Sequence, residues 1–256
     1  MAKYGSIFER LVARRSLSNW GKRAHRAGTM SLDELRTHRR NARKLRSHLE
    51  EVLVTASDRL AIPHIGSNAF QKPKGTDWSW RPDAWRVANG IKGIAGAPTG
   101  TQLASNATLF HDCLHSELTL RQIRNTREQD LAPFGLQLDV FRFDGSFLSV
   151  VLDLPETAFK GIKKTHLMRM NVIAEVERPL EIFVRLNIKH GPNTEQVVRE
   201  LPLHENDVWV EFDLAYTEMN EKRVEKMWVD LIFEGPQNNQ VTMRDVTFSR
   251  SHRAEL

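Results

Sequence analysis

The sequence predicts a mainly β protein, an antiparallel β-sandwich preceded by a basic N-terminal helical hairpin. The clearest strand pattern lies in residues 178–214, where apolar and polar side chains alternate. A period of two directs one set of side chains into a core and the other set toward solvent. The same alternation returns at 208–214, 226–234 and 241–250, with turn residues between these segments. Successive strands of this kind are typical of an antiparallel sandwich rather than a parallel sheet.

Two amphipathic helices are predicted before the strands. Each begins with a capping box, Ser6-x-x-Glu9 or Ser31-x-x-Glu34, whose side chains can satisfy backbone N–H groups at the helix start. The second helix ends before Pro63 and carries apolar residues at coiled-coil-like spacing. We expect the two helices to form a hairpin whose apolar stripe is buried by the other helix, by the sandwich or by a partner. The stripe consists of Leu35, Ala42, Leu45, Leu49, Val52 and Ala56.

Positive charge is concentrated in the predicted helices. The chain has a net charge of +5, but residues 1–60 hold 14 Lys and Arg against 6 Asp and Glu, which gives +8 there and −3 elsewhere. A basic run between positions 36 and 46 suits a protein partner or an anionic surface, and its alternative is an ordinary solvated helix face. No aromatic residues interleave this run and no nucleic-acid-binding module is visible, which argues against nucleic acid as the partner.

The remaining bulk properties predict a soluble, cytoplasmic protein. Cys113 is the single cysteine, so no intramolecular disulfide can form. The first residues lack the apolar segment of a secretory signal, and no stretch has the roughly 20 apolar residues of a transmembrane helix. The glycines between positions 90 and 100 fit neither a dinucleotide-binding fingerprint nor a P-loop, and we expect no cofactor.

Three regions are predicted in all: the helical hairpin at 1–62, a loop-rich connector at 63–106 and the sandwich at 107–256. The connector contains Trp78, Trp80 and Trp85 within eight residues. Indole rings of this kind could form a platform for a sugar ring. The alternative is that they close one end of the sandwich core, since large aromatic residues are more often buried.

A row of potential metal ligands lies on a strand predicted around 108–121. Alternation would place His111, Cys113, His115 and Glu117 on one face of that strand. Because alternate residues lie roughly 6.6–7 Å apart, a tetrahedral site would need further ligands from a neighbouring strand. We therefore interpret the row as a polar outer face, with a metal-dependent enzyme at His111–Glu117 as the alternative. No nucleophile motif or carboxylate pair is visible, and we predict that the protein is not an enzyme.

A hairpin and a long strand are predicted between positions 140 and 176. Asp144-Gly145 stands between the apolar segments 140–143 and 147–151, a pattern typical of a two-residue β-hairpin. In the strand 166–176, Met168 and alternate apolar residues face one way while Arg169 and its alternates face the other.

The succession of strands resembles the galactose-binding-like jelly rolls, a group that includes many carbohydrate-binding modules. The resemblance is clear over 163–250 and weaker over 107–155, and it rests on strand order and not on an invariant motif. The whole chain also resembles an uncharacterised bacterial family with a helical N-terminus before such a sandwich. The strands that carry the resemblance are 171–175, 179–187, 208–214, 227–233 and 241–248.

The resemblance implies a ligand on a concave sheet face or at a rim of loops. Arginine and asparagine side chains can bracket sugar hydroxyls with paired hydrogen bonds, although every half-buried strand also has a polar outer face. The loop segments 216–223 and 234–240 would form a polar rim if they share one end of the sandwich. Asp245 matches a ligand position for the structural calcium of such folds, without a second carboxylate for the site. The predicted ligand-binding residues are Arg169, Asn171, Glu175, Arg185, Asn187, Lys189, Trp78 and Trp80.

Together these features predict a non-catalytic binding protein. The sandwich would recognise a saccharide or glycan-like ligand, and the basic helices would attach the protein to a partner or an anionic surface. The alternative is a structural or assembly protein whose sandwich contacts other proteins only.

Overall fold

A computed structural model describes residues 7–60, 70–88, 93–203 and 207–253. The chain divides into two units, Met1–Thr55 and Ala56–Leu256. The first unit contains helix α1 (Ile7–Arg26), a 3₁₀ turn (Ala27–Thr29) and most of helix α2 (Leu32–Leu60). The predicted N-terminal helical hairpin is confirmed. Within the described residues, no helix combines the length and the apolar character needed to cross a bilayer.

The second capping box is present at the start of α2. Ser31 Oγ accepts a hydrogen bond from the Glu34 N–H (3.4 Å), and Glu34 Oε2 accepts one from the Ser31 N–H (3.3 Å). This reciprocal pair satisfies two donors that the helix cannot satisfy internally. Ser6 of the first capping box lies outside the described residues.

The apolar stripe of α2 is not buried. Leu35, Leu45, Leu49 and Val52 all have exposed side chains. The side chain of Ala56 lies outside the described part of the stripe. These four side chains are therefore accessible on the surface of the helix.

The second unit is an antiparallel β-sandwich, as predicted, and its first layer, sheet 1, has seven strands. The path of neighbouring strands runs β11-β8-β13-β6-β5-β2, and β1 pairs with the second half of β13. Every pairing is antiparallel. The strands are β1 (Thr76–Trp80), β2 (Ile94–Ala95), β5 (Leu118–Arg124), β6 (Phe134–Val140), β8 (His166–Val176), β11 (Asp207–Asp213) and β13 (Asn239–His252).

Sheet 2 has six strands in the order β10-β9-β12-β7-β4-β3, again all antiparallel. Consecutive strands frequently belong to different sheets, as in a jelly roll, so chain connections cross from one layer to the other. The strands are β3 (Thr101–Ala104), β4 (Ala107–His111), β7 (Leu148–Asp153), β9 (Glu181–His190), β10 (Asn193–Glu200) and β12 (Val224–Glu234).

The core lies between the two sheets and follows the alternation in the sequence. On β9 the even-numbered residues from Ile182 to Ile188 are buried in it, and on β8 the even-numbered residues from Met168 to Ala174 are buried. The odd-numbered residues of these strands point away from the core, onto what we call the outer faces of sheet 1 and sheet 2.

The predicted connector contributes directly to the sandwich. Of its described residues, β1 and β2 join sheet 1, β3 joins sheet 2, and the short helix α3 (Asp83–Arg86) packs Trp85 into the core. A second short helix, α4 (Glu156–Phe159), follows β7. The segment is therefore less loop-like than its Gly, Pro and Ser content indicates, because its apolar residues complete the edges of both sheets.

The two-residue hairpin predicted at Asp144-Gly145 is wrong. The flanking strands β6 and β7 lie in different sheets, so residues 141–147 form a crossing between layers. Asp144 Oδ1 accepts a hydrogen bond from the Leu114 N–H (3.1 Å) instead of stabilising a tight turn between paired strands. Strand pairing across the whole sandwich overrides the local turn preference.

Candidate functional site

The six predicted ligand-binding residues on strands β8 and β9 fall on two opposite surfaces of the sandwich. Strand β8 places Arg169, Asn171 and Glu175 on the outer face of sheet 1, whereas β9 places Arg185, Asn187 and Lys189 on the outer face of sheet 2. The core separates these two sets. The two sets of residues therefore cannot form one site.

On the outer face of sheet 1, Arg169 is occupied by its neighbours. Its Nε and Nη2 atoms donate to Glu211 Oε2 at 3.2 and 3.0 Å, and its guanidinium carbon lies 4.0 Å from the ring centroid of Trp209. The guanidinium thus covers one face of this indole. This group stabilises the pairing of β8 with β11 and leaves little of Arg169 for a ligand.

Glu175 on the same face has a structural role. Its Oε2 accepts hydrogen bonds from Arg244 Nη2 (2.9 Å) and Nε (3.1 Å), and its Oε1 accepts one from Arg127. The hydrogen bond from Arg244 lowers the pKa of Glu175, burial opposes this, and the charges of Arg244 and Arg127 add to the lowering. Arg127 also binds Asp130, so this cluster holds the 125–133 loop against the sheet.

The outer face of sheet 2 carries a different network, centred on Asp230. Asp230 Oδ2 accepts hydrogen bonds from Arg185 Nε (2.8 Å) and Asn187 Nδ2 (3.0 Å), and Arg185 Nη2 lies 2.7 Å from the same oxygen. Asn187 Oδ1 in turn accepts a hydrogen bond from Gln196 Nε2 (2.9 Å). Strand register explains the network, because Arg185 lies opposite Asp230 and Asn187 lies opposite Gln196.

This network is recessed although it points away from the core. Asp230 is 4% exposed and Asn187 is 1% exposed. Arg185 keeps 37% of its side chain accessible. Within the described part of the chain, Arg185 Nη1 and Asp230 Oδ1 make no hydrogen bond. One donor group and one acceptor atom therefore remain for a ligand.

Aromatic side chains border this network. Trp228 is half-buried and lies opposite Asn187 and Asp153 in the register of the sheet. Two rows further along the strands lies the half-buried Phe183, and Phe110, which is 38% exposed, lies in the same row three strands away. The face thus combines aromatic surface with a fixed set of polar groups, which is how small-molecule sites are generally built.

Lysines complete the far edge of this face. Lys226 Nζ lies 2.7 Å from Asp153 Oδ1 and 5.6 Å from the Trp228 ring centroid. Lys189, a predicted ligand-binding residue, pairs with Glu225 at 3.0 Å. Both ion pairs are about half exposed to solvent, where such pairs are weak and easily replaced by contacts with a ligand.

The predicted tryptophan platform is directed toward the core. The rings of Trp78 and Trp80 are stacked with their centroids 6.5 Å apart, and Trp80 lies 5.8 Å from Phe248. Trp78 Nε1 donates to Thr157 Oγ1 (3.1 Å). The buried Trp85 Nε1 donates to the Met243 carbonyl (2.8 Å). Both Trp78 and Trp80 are partly buried against the core.

The strand predicted to carry His111, Cys113 and His115 ends at His111. Residues 112–117 form a loop, so the three side chains do not share a strand face. His111 is buried, with Nε2 hydrogen-bonded to the Ala97 carbonyl (2.9 Å) and Nδ1 accepting from the Cys113 N–H (3.2 Å). Burial raises the pKa of the Cys113 thiol, the opposite of what a nucleophile or metal ligand needs. The predicted row is therefore wrong, because Asp112 caps the 146–147 backbone and turns the chain away from the sheet.

Asp245 has a cationic partner, but the partner is an arginine. Arg81 Nε donates to Asp245 Oδ1 (2.8 Å) and Arg81 Nη2 donates to Oδ2 (2.7 Å). Burial raises the pKa of Asp245, while the hydrogen bonds and charge of Arg81 oppose that rise. The guanidinium occupies both carboxylate oxygens, so Asp245 is not available as the calcium ligand that the resemblance suggested.

A second group of potential metal ligands consists of Asp77, His166 and His252, whose ligand atoms all lie within 4.8 Å of one another. Arg250 donates two hydrogen bonds to the Asp77 carboxylate (3.0 and 2.9 Å). His166 Nδ1 accepts the Lys163 N–H (2.8 Å), so the neutral ring carries its proton on Nε2, the atom directed at Asp77. A neighbouring arginine and a protonated Nε2 both disfavour a cation here, and we assign this cluster a structural role.

The loops predicted as a common rim lie at opposite ends of the sandwich. The 214–223 connection precedes β12 and contacts the β9–β10 turn, where the Asn220 N–H donates to His190 Nδ1 (3.3 Å). The 235–238 connection follows β12 and therefore lies at its other end. A pocket of about 420 Å³ is found at that end, lined in part by Arg121, Asp139 and Phe141.

Sequence reasoning missed Asp230, Gln196 and Trp228. Asp230 stands between Val229 and Leu231 in an alternating segment, and this pattern predicts that its side chain points outward. The sequence did not predict that Asp230 lies next to Arg185, because this proximity depends on the pairing of β12 with β9.

Comparison with known proteins identifies the family but not a function. A family model described as a family of unknown function (DUF6478) matches residues 1–256, so the chain belongs to this family. No curated protein matches the chain.

Several solved structures are distantly similar. The enzymatically active domain of tailspike protein 4 from bacteriophage CBA120 matches with a TM-score of 0.40 and 7% identity, over 63% of this chain and 22% of that chain. A family 11 carbohydrate-binding module from Clostridium thermocellum, in complex with a β-1,3-1,4-mixed-linked tetrasaccharide, has a TM-score of 0.40 and 9% identity over 59% and 92% of the two chains. The CBM22-1 xylan-binding domain from Paenibacillus barcinonensis has a TM-score of 0.34 and 9% identity over 62% and 99%. The chain thus spans about a fifth of the tailspike chain. Because the sequence identities are below 10% and the TM-scores are at most 0.40, these similarities do not indicate which ligand this chain binds.

Proposed function

We propose that this DUF6478 member is a non-catalytic binding protein that recognises a saccharide on the outer face of sheet 2. The observation that carries the proposal is the recessed network of Asp230, Arg185, Asn187 and Gln196 beside the half-buried ring of Trp228. The predicted residues Arg185, Asn187 and Lys189 belong to this face. Arg169, Asn171 and Glu175, on the opposite sheet, do not.

The chemistry of the network suits sugar hydroxyls. Each hydroxyl group donates one hydrogen bond and accepts others. Asp230 Oδ1 can accept from one hydroxyl while Arg185 Nη1 donates to its neighbour, and charged partners strengthen both bonds. The apolar C–H surface of a sugar ring can lie against Trp228.

The network is also preorganised. Asp230 and Asn187 are held by neighbouring side chains and by the register of three adjacent strands, β10, β9 and β12. A ligand therefore does not need to order these groups, which lowers the entropic cost of binding.

The two carboxylates beside the network, Asp230 and Asp153, support binding without catalysis. Glycoside hydrolysis requires a protonated carboxylic acid on one side of the scissile bond and a carboxylate on the other. On this face Asp230 is held by Arg185, and Asp153 is paired with Lys226. Each of these two carboxylates is thus already held in an ion pair.

The basic N-terminal helices would attach the protein to a partner or an anionic surface. The net charge of +8 over residues 1–60 and the exposed apolar stripe of α2 support this part of the proposal.

A second candidate function, protein–protein assembly through the same sheet, is favoured by two apolar side chains. Val198 and Phe110 are 48% and 38% exposed on the outer face of sheet 2. An assembly would be expected to bury both of them.

A glycan array that contains neutral and acidic oligosaccharides tests the proposal. The full chain should bind a defined subset, and the double variant R185A/N187A should lose that binding. The matched control R169A/N171A changes the same residue types on sheet 1 and should bind normally. No binding to any glycan, or equal losses in both double variants, would refute the proposal. A stable complex between copies that depends on Val198 and Phe110 would favour assembly instead.

A further inference from the structure

Helix α2 contains an uninterrupted cationic segment. Residues 35–49 hold six Lys and Arg and no Asp or Glu. All six side chains are exposed. Arg36 pairs with Asp33, which lies outside this segment. Among the described residues, Arg39, Arg40, Arg43 and Lys44 form no ion pair, whereas Arg169, Arg185, Arg244 and Arg250 of the sandwich are each paired with a carboxylate. The six cations are Arg36, Arg39, Arg40, Arg43, Lys44 and Arg46.

The exposed apolar stripe runs beside these cations. At 3.6 residues per turn, the stripe from Leu35 to Val52 occupies an arc of about 100° on α2. Arg36, Arg39, Arg43 and Arg46 occupy the arc directly next to it on one side. Leu49 is 52% exposed and Val52 is 63% exposed, so the apolar arc is accessible along the same helix surface.

We infer that this side of α2 lies on the surface of an anionic lipid bilayer, with its leucines at the acyl boundary and its arginines on the acidic headgroups. The inference specifies the attachment partner of the proposed function and rests on that part of it. An apolar arc flanked by cations is the pattern of helices that lie in the membrane interface. The helix has 29 residues, about 43 Å at 1.5 Å per residue, and the stripe from Leu35 to Val52 runs along about 26 Å of it.

Charge distinguishes a bilayer from the other candidates for this surface. A second copy of α2 would bring Arg39, Arg40, Arg43 and Lys44 of one helix close to the same four cations of the other, which is unfavourable. A nucleic acid would bind the arginines but leave the leucines exposed to water. An anionic bilayer can bind the arginines and bury the leucines at the same time, because its negative headgroups lie directly above an apolar layer.

Co-sedimentation with sucrose-loaded vesicles tests the inference with the full chain. Vesicles of equal parts phosphatidylglycerol and phosphatidylcholine should bind the protein at 0.1 M salt, and pure phosphatidylcholine vesicles should not. The variant R39Q/R40Q/R43Q/K44Q should bind more weakly by about fivefold per cation, roughly six hundredfold in total. The variant R142Q/K160Q/K163Q/K222Q removes four exposed cations from the sandwich unit and should bind as the wild type does.

A second variant separates a lipid surface from a general polyanion site. L45S/L49S keeps every charge and removes two exposed leucines, so binding to the anionic vesicles should fall at least tenfold. Binding to heparin should be unchanged in this variant. Circular dichroism shows whether each variant keeps its helix content. Equal binding to neutral vesicles, equal weakening by the control variant, or no effect of L45S/L49S would overturn the inference.

Measuring both glycan binding and vesicle binding for each variant separates this inference from saccharide recognition. The α2 variants should bind glycans as the wild type does, and R185A/N187A should bind anionic vesicles as the wild type does. Loss of vesicle binding in R185A/N187A would contradict the assignment of lipid binding to α2.

Discussion

Arg81 and Asp245 form a buried ion pair between residues 164 positions apart in the chain. The guanidinium makes two hydrogen bonds to the carboxylate, at 2.8 and 2.7 Å, and the side chains are 0% and 8% exposed. The pair ties the segment before α3 to the last strand of sheet 1. It also places an arginine on the carboxylate that the sequence had suggested for calcium.

Replacing Arg81 alone should be severely destabilising. R81M leaves Asp245 as a buried carboxylate without its counterion, and we expect a loss of about 3–5 kcal/mol in the free energy of unfolding. The double variant R81M/D245L should recover most of that loss, since two apolar side chains can replace a buried ion pair. Urea unfolding monitored by tryptophan fluorescence measures both quantities. A double variant as unstable as R81M would show that the pair contributes more than mutual neutralisation.

Trp228 should contribute directly to ligand affinity. W228A removes the aromatic surface beside the Asp230 network, and we expect a loss of about 2 kcal/mol, or roughly thirtyfold in affinity. Isothermal titration with the best glycan from the array measures the change. W209A is the matched control, because Trp209 lies on sheet 1 and is covered by Arg169. Similar losses in the two variants would place the ligand elsewhere.

Stability should fall as the pH drops below about 6.5, partly through His166. Burial, followed by the charges of Arg250 and His252, lowers the pKa of His166 from its usual 6.5. The unfolded chain therefore binds a proton that the folded chain resists, and stability is lost as pH falls through 6.5 toward the lower folded pKa. One such group changes the free energy of unfolding by at most about 1.4 kcal/mol per pH unit.

The variant H166N isolates this contribution. An asparagine can still accept the Lys163 N–H but does not titrate, so its unfolding free energy should depend less on pH between 7 and 5 than that of the wild type. Below about pH 4.5 both proteins should lose stability together, because hydrogen bonds from Arg244 lower the pKa of Glu175 from its usual 4.5. Identical pH profiles in the two proteins would exclude His166 as the source.

Asn125 should be essential for the loop that follows β5. Its Nδ2 donates to the carbonyls of Ala132 (2.9 Å), Phe134 (3.0 Å) and Arg244 (2.8 Å). N125A leaves these acceptors without their donor, and we expect a loss of about 2–3 kcal/mol in thermal or urea unfolding. N171A removes an outward-facing asparagine with no such hydrogen bonds among the described residues and should change stability by less than about 0.5 kcal/mol. A small effect of N125A would mean that water replaces the amide.

Local patterns in the sequence predicted the strands and their faces well. The alternation around β8 and β9 identified which side chains enter the core, because the period of a strand does not depend on its neighbours. The capping box at Ser31 and Glu34 was equally local and is present. Predictions failed where the chain leaves a strand. His111 ends β4 because Asp112 caps a distant backbone segment, and Asp144-Gly145 crosses between sheets because its flanking strands pair elsewhere.

The sequence by itself determined that this chain would form a two-layer β-sandwich after a basic helical hairpin, since periodicity and charge are properties of neighbouring residues. Only the tertiary structure decided which polar residues meet. Asn187 and Asp230 are 43 positions apart, and they touch because β9 and β12 pair in one particular register. That register depends on the packing of the whole core, so no local pattern encodes it.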